Sequence, residues 1–137
     1  MKRSANANWK GTGKEGKGTV TADSGVLSGT PISFKTRFEE VQGTSPEELV
    51  AAAHAGCFSM KLSFVLNAAG FTPDNIDTKC TITLDPPVGI TESHLEVKAT
   101  VPGIDAAKFA ECAAEAKANC PNSKLLNTNI TMEASLA

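Results

Sequence analysis

The sequence predicts an α+β fold formed by a single domain over residues 1–137. Segments with strand-like alternation of apolar and polar residues come first, a long apolar helix follows, and strand and helix patterns then share the remainder of the chain. The predicted order is βββ-α-ββ-α-α-β. With 137 residues, of which 41% are apolar and 20% charged, the composition is typical of one compact soluble domain.

The N-terminal region predicts three strands. Apolar and polar residues alternate over 5–9 and over 18–22, and the glycine-rich segment 11–16 between them is typical of a β-hairpin. That segment fits G-x-G-x-x-G, but it joins two strands instead of entering a helix, so we exclude a nucleotide site. A third strand is predicted from the alternation of Ile32, Phe34, Thr36 and Phe38. Arg37 is then expected to point away from the phenylalanines.

A long helix is predicted from Ser45, as its N-cap, to Ala69. Pro46 suits the first helical position, Glu48 can close a capping box, and Gly70 ends the helix. Apolar residues leave no continuous polar face, so we expect protein to cover most of the helix, with a second subunit as a plausible source. His54 and Lys61 interrupt an apolar run that we judge too short for a bilayer.

The C-terminal half predicts two strands, two helices and a last strand. The strands cover 80–84 and 95–101, with 85–89 in the turn region between them. Asp105 can cap a helix with an apolar stripe formed by Phe109, Cys112, Ala113 and Ala116. Cys120-Pro121 breaks that helix and begins a short one that ends at Leu126, and Ile130, Met132 and Ala134 alternate in the last strand.

Charge and cysteine usage narrow the class of function. A net charge of -2 gives no reason to expect a nucleic acid or an anionic membrane as a partner. A polar run follows Met1-Lys2-Arg3, so we expect no export signal and a cytoplasmic location. None of the four cysteines forms a C-x-x-C pair, which favours reduced thiols over a disulfide framework or a zinc site.

Two cysteines are candidates for thiol chemistry. An ordinary thiol has a pKa near ~8.5 and is only about 3% ionised at neutral pH, whereas the thiolate is the nucleophile. Cys57 lies too far along its helix for the dipole to help, so a cation is needed, and His54, Lys61 and Arg37 are candidates. Cys120 at an N-cap has the more favourable local electrostatics. The residues alone do not rank the two thiols, and a helical cysteine is often only a small core residue.

Several motifs together carry a family resemblance. They include Thr36-Arg37-Phe38-Glu39, Gly43-Thr44-Ser45-Pro46-Glu47-Glu48-Leu49, Ala52-Ala53-His54-Ala55-Gly56-Cys57-Phe58-Ser59-Met60 and Cys120-Pro121. The chain resembles the OsmC/Ohr peroxidases over nearly its whole length. His54 and the segment 58–60 resemble the OsmC (osmotically inducible protein C) branch more than the organic hydroperoxide resistance branch.

The resemblance implies an OsmC-like fold, with antiparallel sheets packed around a long buried central helix, in an intertwined homodimer. It implies a peroxidase that reduces organic hydroperoxides, and hydrogen peroxide more weakly, in oxidative or osmotic stress. Cys57 would be the attacking thiol, Cys120 the resolving thiol, Arg37 the activating cation and Glu47 its partner. The implied cycle needs no metal, flavin or haem.

The same resemblance implies that an external dithiol, such as a lipoylated protein, reduces the enzyme. An apolar lining around Phe58, Met60 and Phe64 is expected to favour organic substrates. Ten helical residues at 1.5 Å each separate Glu47 from Cys57 by ~15 Å, so either the first turn bends back or Arg37 bridges them across the interface. We interpret Cys80 and Cys112 as core residues, and His54 as a packing or supporting residue.

Two other functions fit the same residues. In a binding module, an apolar crevice would hold a lipid-like ligand and Cys57→Ser would leave function intact. In a redox sensor, the same disulfide would be passed to another protein without turnover.

Overall fold

The computed structural model describes residues 1–137, which form two compact units, Met1–Leu49 and Val50–Ala137. The single-domain assignment stays a prediction. The elements in chain order are β1(Ala5–Lys10), β2(Lys17–Ala22), β3(Thr30–Ser33), α1(Phe34–Phe38), α2(Pro46–Ala68), β4(Asn75–Asp85), β5(Gly89–Thr100), α3(Ala106–Asn119), α4(Pro121–Leu125) and β6(Asn129–Leu136). The predicted α+β class is confirmed.

The first unit contains an antiparallel sheet of order β1-β2-β3. The predicted hairpin is confirmed, with Ala5 opposite Ala22 and Lys10 opposite Lys17. The third strand ends at Ser33, so the strand predicted through Phe38 was wrong. The Ser33 side chain accepts from the Thr36 N–H at 3.0 Å while the Thr36 hydroxyl accepts from the Ser33 N–H at 2.7 Å. This capping box starts the helix α1, which carries Arg37.

Helix α2 begins and ends close to the predicted positions. Ser45 accepts from the Glu48 N–H at 3.1 Å, and Gly70 follows the helix with φ +92°, a conformation that glycine adopts without strain. The Glu48 carboxylate, predicted to close a capping box, instead accepts from the Thr44 hydroxyl at 2.6 Å.

Part of α2 is buried within the single chain. The buried residues are His54, Phe58, Leu62, Val65 and Leu66, and cover of the rest of the helix by a second subunit stays a prediction. Helix α2, with 23 residues, is long and apolar enough to cross a membrane by length and composition alone. The prediction that its apolar run is too short for a bilayer was therefore wrong. The core helix of a folded domain has the same length and composition, so these two properties alone do not place α2 in a membrane.

The second unit contains the sheet β4-β5-β6 and the hydrophobic core. Strands β4 and β5 form the predicted antiparallel hairpin, but β6 pairs with β5 in parallel, so the sheet is mixed and not antiparallel throughout. One face of β5 packs with α2 and α3 in a cluster that includes Phe58, Leu62, Leu66, Leu95, Val97, Phe109, Ala113 and Ala116. The predicted apolar stripe of α3 lies in this core, and Asp105 caps the helix as expected.

Candidate active site

Helix α2 carries Cys57 beside the core of the second unit. The preceding and following turns are anchored by His54 and Phe58, which are fully buried. Cys57 itself packs against the core but stays partly exposed. Cys57 is therefore partly open to solvent, whereas its neighbour Phe58 and His54 one turn before it are not.

Cys120 lies between two helices. It ends α3, with its N–H donating to the Ala116 carbonyl, and it precedes Pro121 at the first position of α4. Its side chain is 0% exposed. The two sulfurs, 63 residues apart in the chain, lie 3.0 Å from each other as free thiols. A disulfide needs about 2.05 Å, so a movement of about 1 Å would join them.

The protein shifts the pKa values of these two thiols in opposite directions. Burial raises the pKa of Cys57, but hydrogen bonds from Cys120 and Asn122 outweigh burial and leave that pKa below its ordinary value. Burial also raises the pKa of Cys120, and the hydrogen bond with Cys57 raises it further. Cys57 is therefore the more acidic of the two thiols, and Cys120 donates a hydrogen bond to its sulfur.

The expected advantage of Cys120 from local electrostatics was wrong. Its helix has five residues, and the thiol is fully buried, so desolvation outweighs whatever the short helix contributes. The sequence shows that Cys120 precedes Pro121, but it does not show that the Cys120 thiol is buried. This burial is the largest cause of the raised pKa of Cys120.

The three candidate cations for Cys57 lie in different surroundings. Lys61 contributes to lowering the pKa of the Cys57 thiol. His54 does not act as a cation, because burial lowers its own pKa and favours the neutral imidazole. The structure places Arg37 in the first unit and Cys57 in the second.

Arg37 and Glu47 form a bidentate ion pair within the first unit. Arg37 Nε donates to both Glu47 carboxylate oxygens at 3.0 and 3.1 Å, and Nη2 donates at 2.5 Å. The hydrogen bond with Glu47 raises the pKa of Arg37, so the guanidinium stays charged. The pair is positioned by α1 and by the first turn of α2.

A pocket of about 210 Å³ lies beside this ion pair. It is lined by Trp9, Ile32, Phe34, Arg37, Phe38 and Pro46, among others. The Arg37 guanidinium carbon lies 5.7 Å from the centre of the Phe38 ring. The pocket therefore combines one fixed cation with apolar walls, and sequence reasoning missed it because Phe34 and Phe38 were assigned to a strand.

The other predicted thiols and His54 have different surroundings. Cys112 is buried in the core, and burial raises its pKa. Cys80 contacts Ser93 Oγ at 3.3 Å, and burial also raises its pKa. His54 is hydrogen-bonded through Nδ1 to Ser93 at 2.6 Å and through Nε2 to Ser123 at 2.8 Å. His54 therefore supports the site from beside it, because its two ring nitrogens join α2 to Ser93 of β5 and to Ser123 of α4.

Asn122 is a residue of the site that sequence reasoning did not single out. Both its backbone and its side chain lower the pKa of Cys57. Its only signal in the sequence is its place two residues after Cys120. No group of three or more His, Cys, Asp or Glu side chains is arranged to hold a metal ion.

Comparison with known proteins identifies the family. The family model described as OsmC-like protein matches residues 39–135. The chain is 50% identical, over 93% of its length and 91% of the relative's, to the peroxiredoxin OsmC of Escherichia coli (strain K12). The chain belongs to the OsmC family. The predicted family resemblance is thus confirmed.

An organic hydroperoxide resistance protein is also similar to this chain, at lower identity. The chain is 28% identical to the organic hydroperoxide resistance protein OhrB of Bacillus subtilis (strain 168), over 87% of this chain and 88% of that protein. The crystal structure of Bacillus subtilis OhrB superposes with a TM-score of 0.67 at 25% identity and covers 98% of both chains. These names agree with the predicted class of cysteine-based peroxidase.

Proposed function

We propose that this OsmC protein is a thiol peroxidase that reduces organic hydroperoxides, with Cys57 as the attacking thiol and Cys120 as the resolving thiol. The observation that carries the proposal is the contact between a partly exposed thiol of lowered pKa and a buried thiol of raised pKa, 3.0 Å apart. Such a pair supplies a reactive thiolate and a second thiol that is protected until the first is oxidised.

The proposed cycle balances without a cofactor. The Cys57 thiolate attacks the outer oxygen of ROOH, so that an S–O bond forms, the O–O bond breaks, and the alkoxide takes a proton and leaves as ROH. Cys120 then attacks the sulfur of the Cys57 sulfenic acid, which forms the disulfide and releases water. An external dithiol finally reduces the disulfide and becomes a disulfide itself.

The pocket beside Arg37 supports an organic substrate. Its aromatic walls suit an alkyl or aryl group, and the guanidinium, held by Glu47, offers donors for a peroxide or alkoxide oxygen. Hydrogen peroxide has no group to fill the apolar part and is the poorer substrate. The lining expected from Phe58 is not supported, because that ring is fully buried in the core.

A homodimer belongs to the proposal. Met60 and Phe64, four residues apart on α2, are 65% and 67% exposed. Exposed large apolar side chains that lie together on one helix are typical of a surface that binds another protein. A second copy of the chain would cover them.

The reductant and the location are also proposals. Four unpaired cysteines suit a reducing compartment, for which we propose the cytoplasm. A dithiol, such as the lipoyl group of a carrier protein, can complete the reduction with a single molecule, because its first thiol forms a mixed disulfide and its second thiol then displaces the protein cysteine.

The test is consumption of cumene hydroperoxide with dihydrolipoamide as the reductant. We expect sustained turnover by the wild type, none by Cys57→Ser, and at most one sulfenic acid per chain without the Cys57–Cys120 disulfide in Cys120→Ser. Cys112→Ala is the matched control, since its thiol is buried and lies eight residues before Cys120 in the chain, and it should keep full turnover. Unchanged turnover by Cys57→Ser would refute the proposal.

A further inference from the structure

The short helix α4 depends on side-chain contacts for its position. It has five residues, and no side chain caps its N-terminus. A helix of this length is not stable by itself. Two consecutive residues instead tie it to α2, because Asn122 Nδ2 donates to the Ala53 carbonyl at 3.1 Å and Ser123 Oγ lies 2.8 Å from His54 Nε2.

The acceptor of the Asn122 bond lies on the turn of α2 that carries Cys57. In an α-helix the carbonyl of residue i−4 accepts from the N–H of residue i, so the Ala53 carbonyl is also the partner of the Cys57 N–H. Asn122 in turn follows Cys120 by two residues. A single side chain therefore connects the backbone beside one sulfur to the backbone beside the other.

We propose that Asn122 is a positioning residue for the thiol pair, which holds α4 on the Ala53 carbonyl and so keeps Cys120 Sγ within reach of Cys57 Sγ. The inference rests on the proposed function, because it concerns the step in which Cys120 attacks the oxidised Cys57. Without this bond the contact between Ser123 and His54 would be the remaining side-chain hydrogen bond that joins α4 to α2, and the 3.0 Å separation of the sulfurs would be held less firmly.

A second consequence concerns the reactivity of Cys57 before oxidation. The backbone and the side chain of Asn122 both lower the pKa of the Cys57 thiol. Removal of the side chain leaves the backbone contribution, so part of the stabilisation of the thiolate is lost. The substitution Asn122→Asp nearly preserves the shape of the side chain, but a carboxylate cannot donate to the Ala53 carbonyl and would repel the thiolate.

The variants for the test are Asn122→Ala and the isosteric Asn122→Asp. Asn119→Ala is the matched control, since Asn119 also donates its amide to a carbonyl, that of Glu115 at 3.1 Å, and also flanks Cys120 in the chain. Far-UV circular dichroism checks that each variant is folded.

The first readout is single turnover with one equivalent of cumene hydroperoxide and dimedone as a trap for sulfenic acid. Loss of one hydrogen bond predicts a rate of disulfide closure about three- to tenfold lower in Asn122→Ala, with more trapped sulfenic acid on Cys57. Asn122→Asp should lose at least as much. Asn119→Ala should close at the wild-type rate.

The second readout needs no peroxide. Iodoacetamide alkylation of Cys57, followed by peptide mass spectrometry as a function of pH, should show a midpoint at higher pH in Asn122→Ala and at still higher pH in Asn122→Asp. Wild-type closure together with a wild-type midpoint in both variants would overturn the inference. If the wild type itself forms no sulfenic acid, the proposed function fails, and the alkylation midpoints still decide whether Asn122 acts on Cys57.

Discussion

Substitution of His54 tests whether the hydrogen bonds of this histidine stabilise the fold around the site. In His54→Ala the imidazole, which is 0% exposed, loses its bonds to Ser93 at 2.6 Å and Ser123 at 2.8 Å. Two hydrogen bonds contribute about 2 kcal/mol together, and the cavity left by the ring costs about 1–3 kcal/mol more. The free energy of unfolding should therefore fall by about 3–5 kcal/mol.

The assay is urea unfolding with a reducing agent present. Trp9 belongs to the first unit, so circular dichroism at 222 nm, which follows the long helices, is the better probe. Ser123→Ala is the matched control, because it removes only the Nε2 bond and should cost about 1 kcal/mol. A loss below about 1 kcal/mol in His54→Ala would refute the structural role assigned to this histidine.

Three further perturbations test the charge state of His54, the α2 surface and the Arg37 ion pair. Burial lowers the pKa of His54, so the unfolded chain binds a proton at this histidine before the folded chain does as the pH falls below about 6.5. The free energy of unfolding should therefore fall between about pH 6.5 and the pKa of His54 in the folded protein. The same pH series on His54→Ala should lack this slope. Phe64→Lys should leave the free energy of unfolding of the monomer within about 0.5 kcal/mol of wild type but weaken the dimer at least about tenfold, as measured by light scattering. Val88→Lys, at a similarly exposed turn residue, should change neither the monomer stability nor the dimer. An unchanged dimer in Phe64→Lys would exclude α2 from the interface. Arg37→Lys keeps the charge but loses the bidentate pair with Glu47, so kcat/KM for cumene hydroperoxide should fall at least about tenfold, and wild-type kinetics would argue against a role for this guanidinium.

Local signals in the sequence located most of the elements. Ser45-Pro46 and Gly70 mark the ends of α2, and Asp105 marks the start of α3, because capping and helix termination depend on neighbouring residues. The segment 34–38 was misassigned because its alternation also fits a short amphipathic helix. The pair Ser33 and Thr36, at capping-box spacing, was the signal that could have corrected it.

Contacts between residues far apart in the chain were harder to predict from the sequence. Alternation places Ile130 and Met132 on one face of a strand, but it carries no information on the parallel pairing with β5. The 3.0 Å contact of Cys57 with Cys120 joins residues 63 positions apart, and only the family resemblance suggested the pair. Burial of Cys120 decides which thiol ionises first, and it depends on α2, α3 and the sheet together.

The most direct test of the account is peptide mass spectrometry of the reduced protein after one equivalent of cumene hydroperoxide. The account predicts a disulfide between Cys57 and Cys120, with Cys80 and Cys112 still free. Four reduced cysteines after this treatment would contradict the central claim that this thiol pair reduces hydroperoxides.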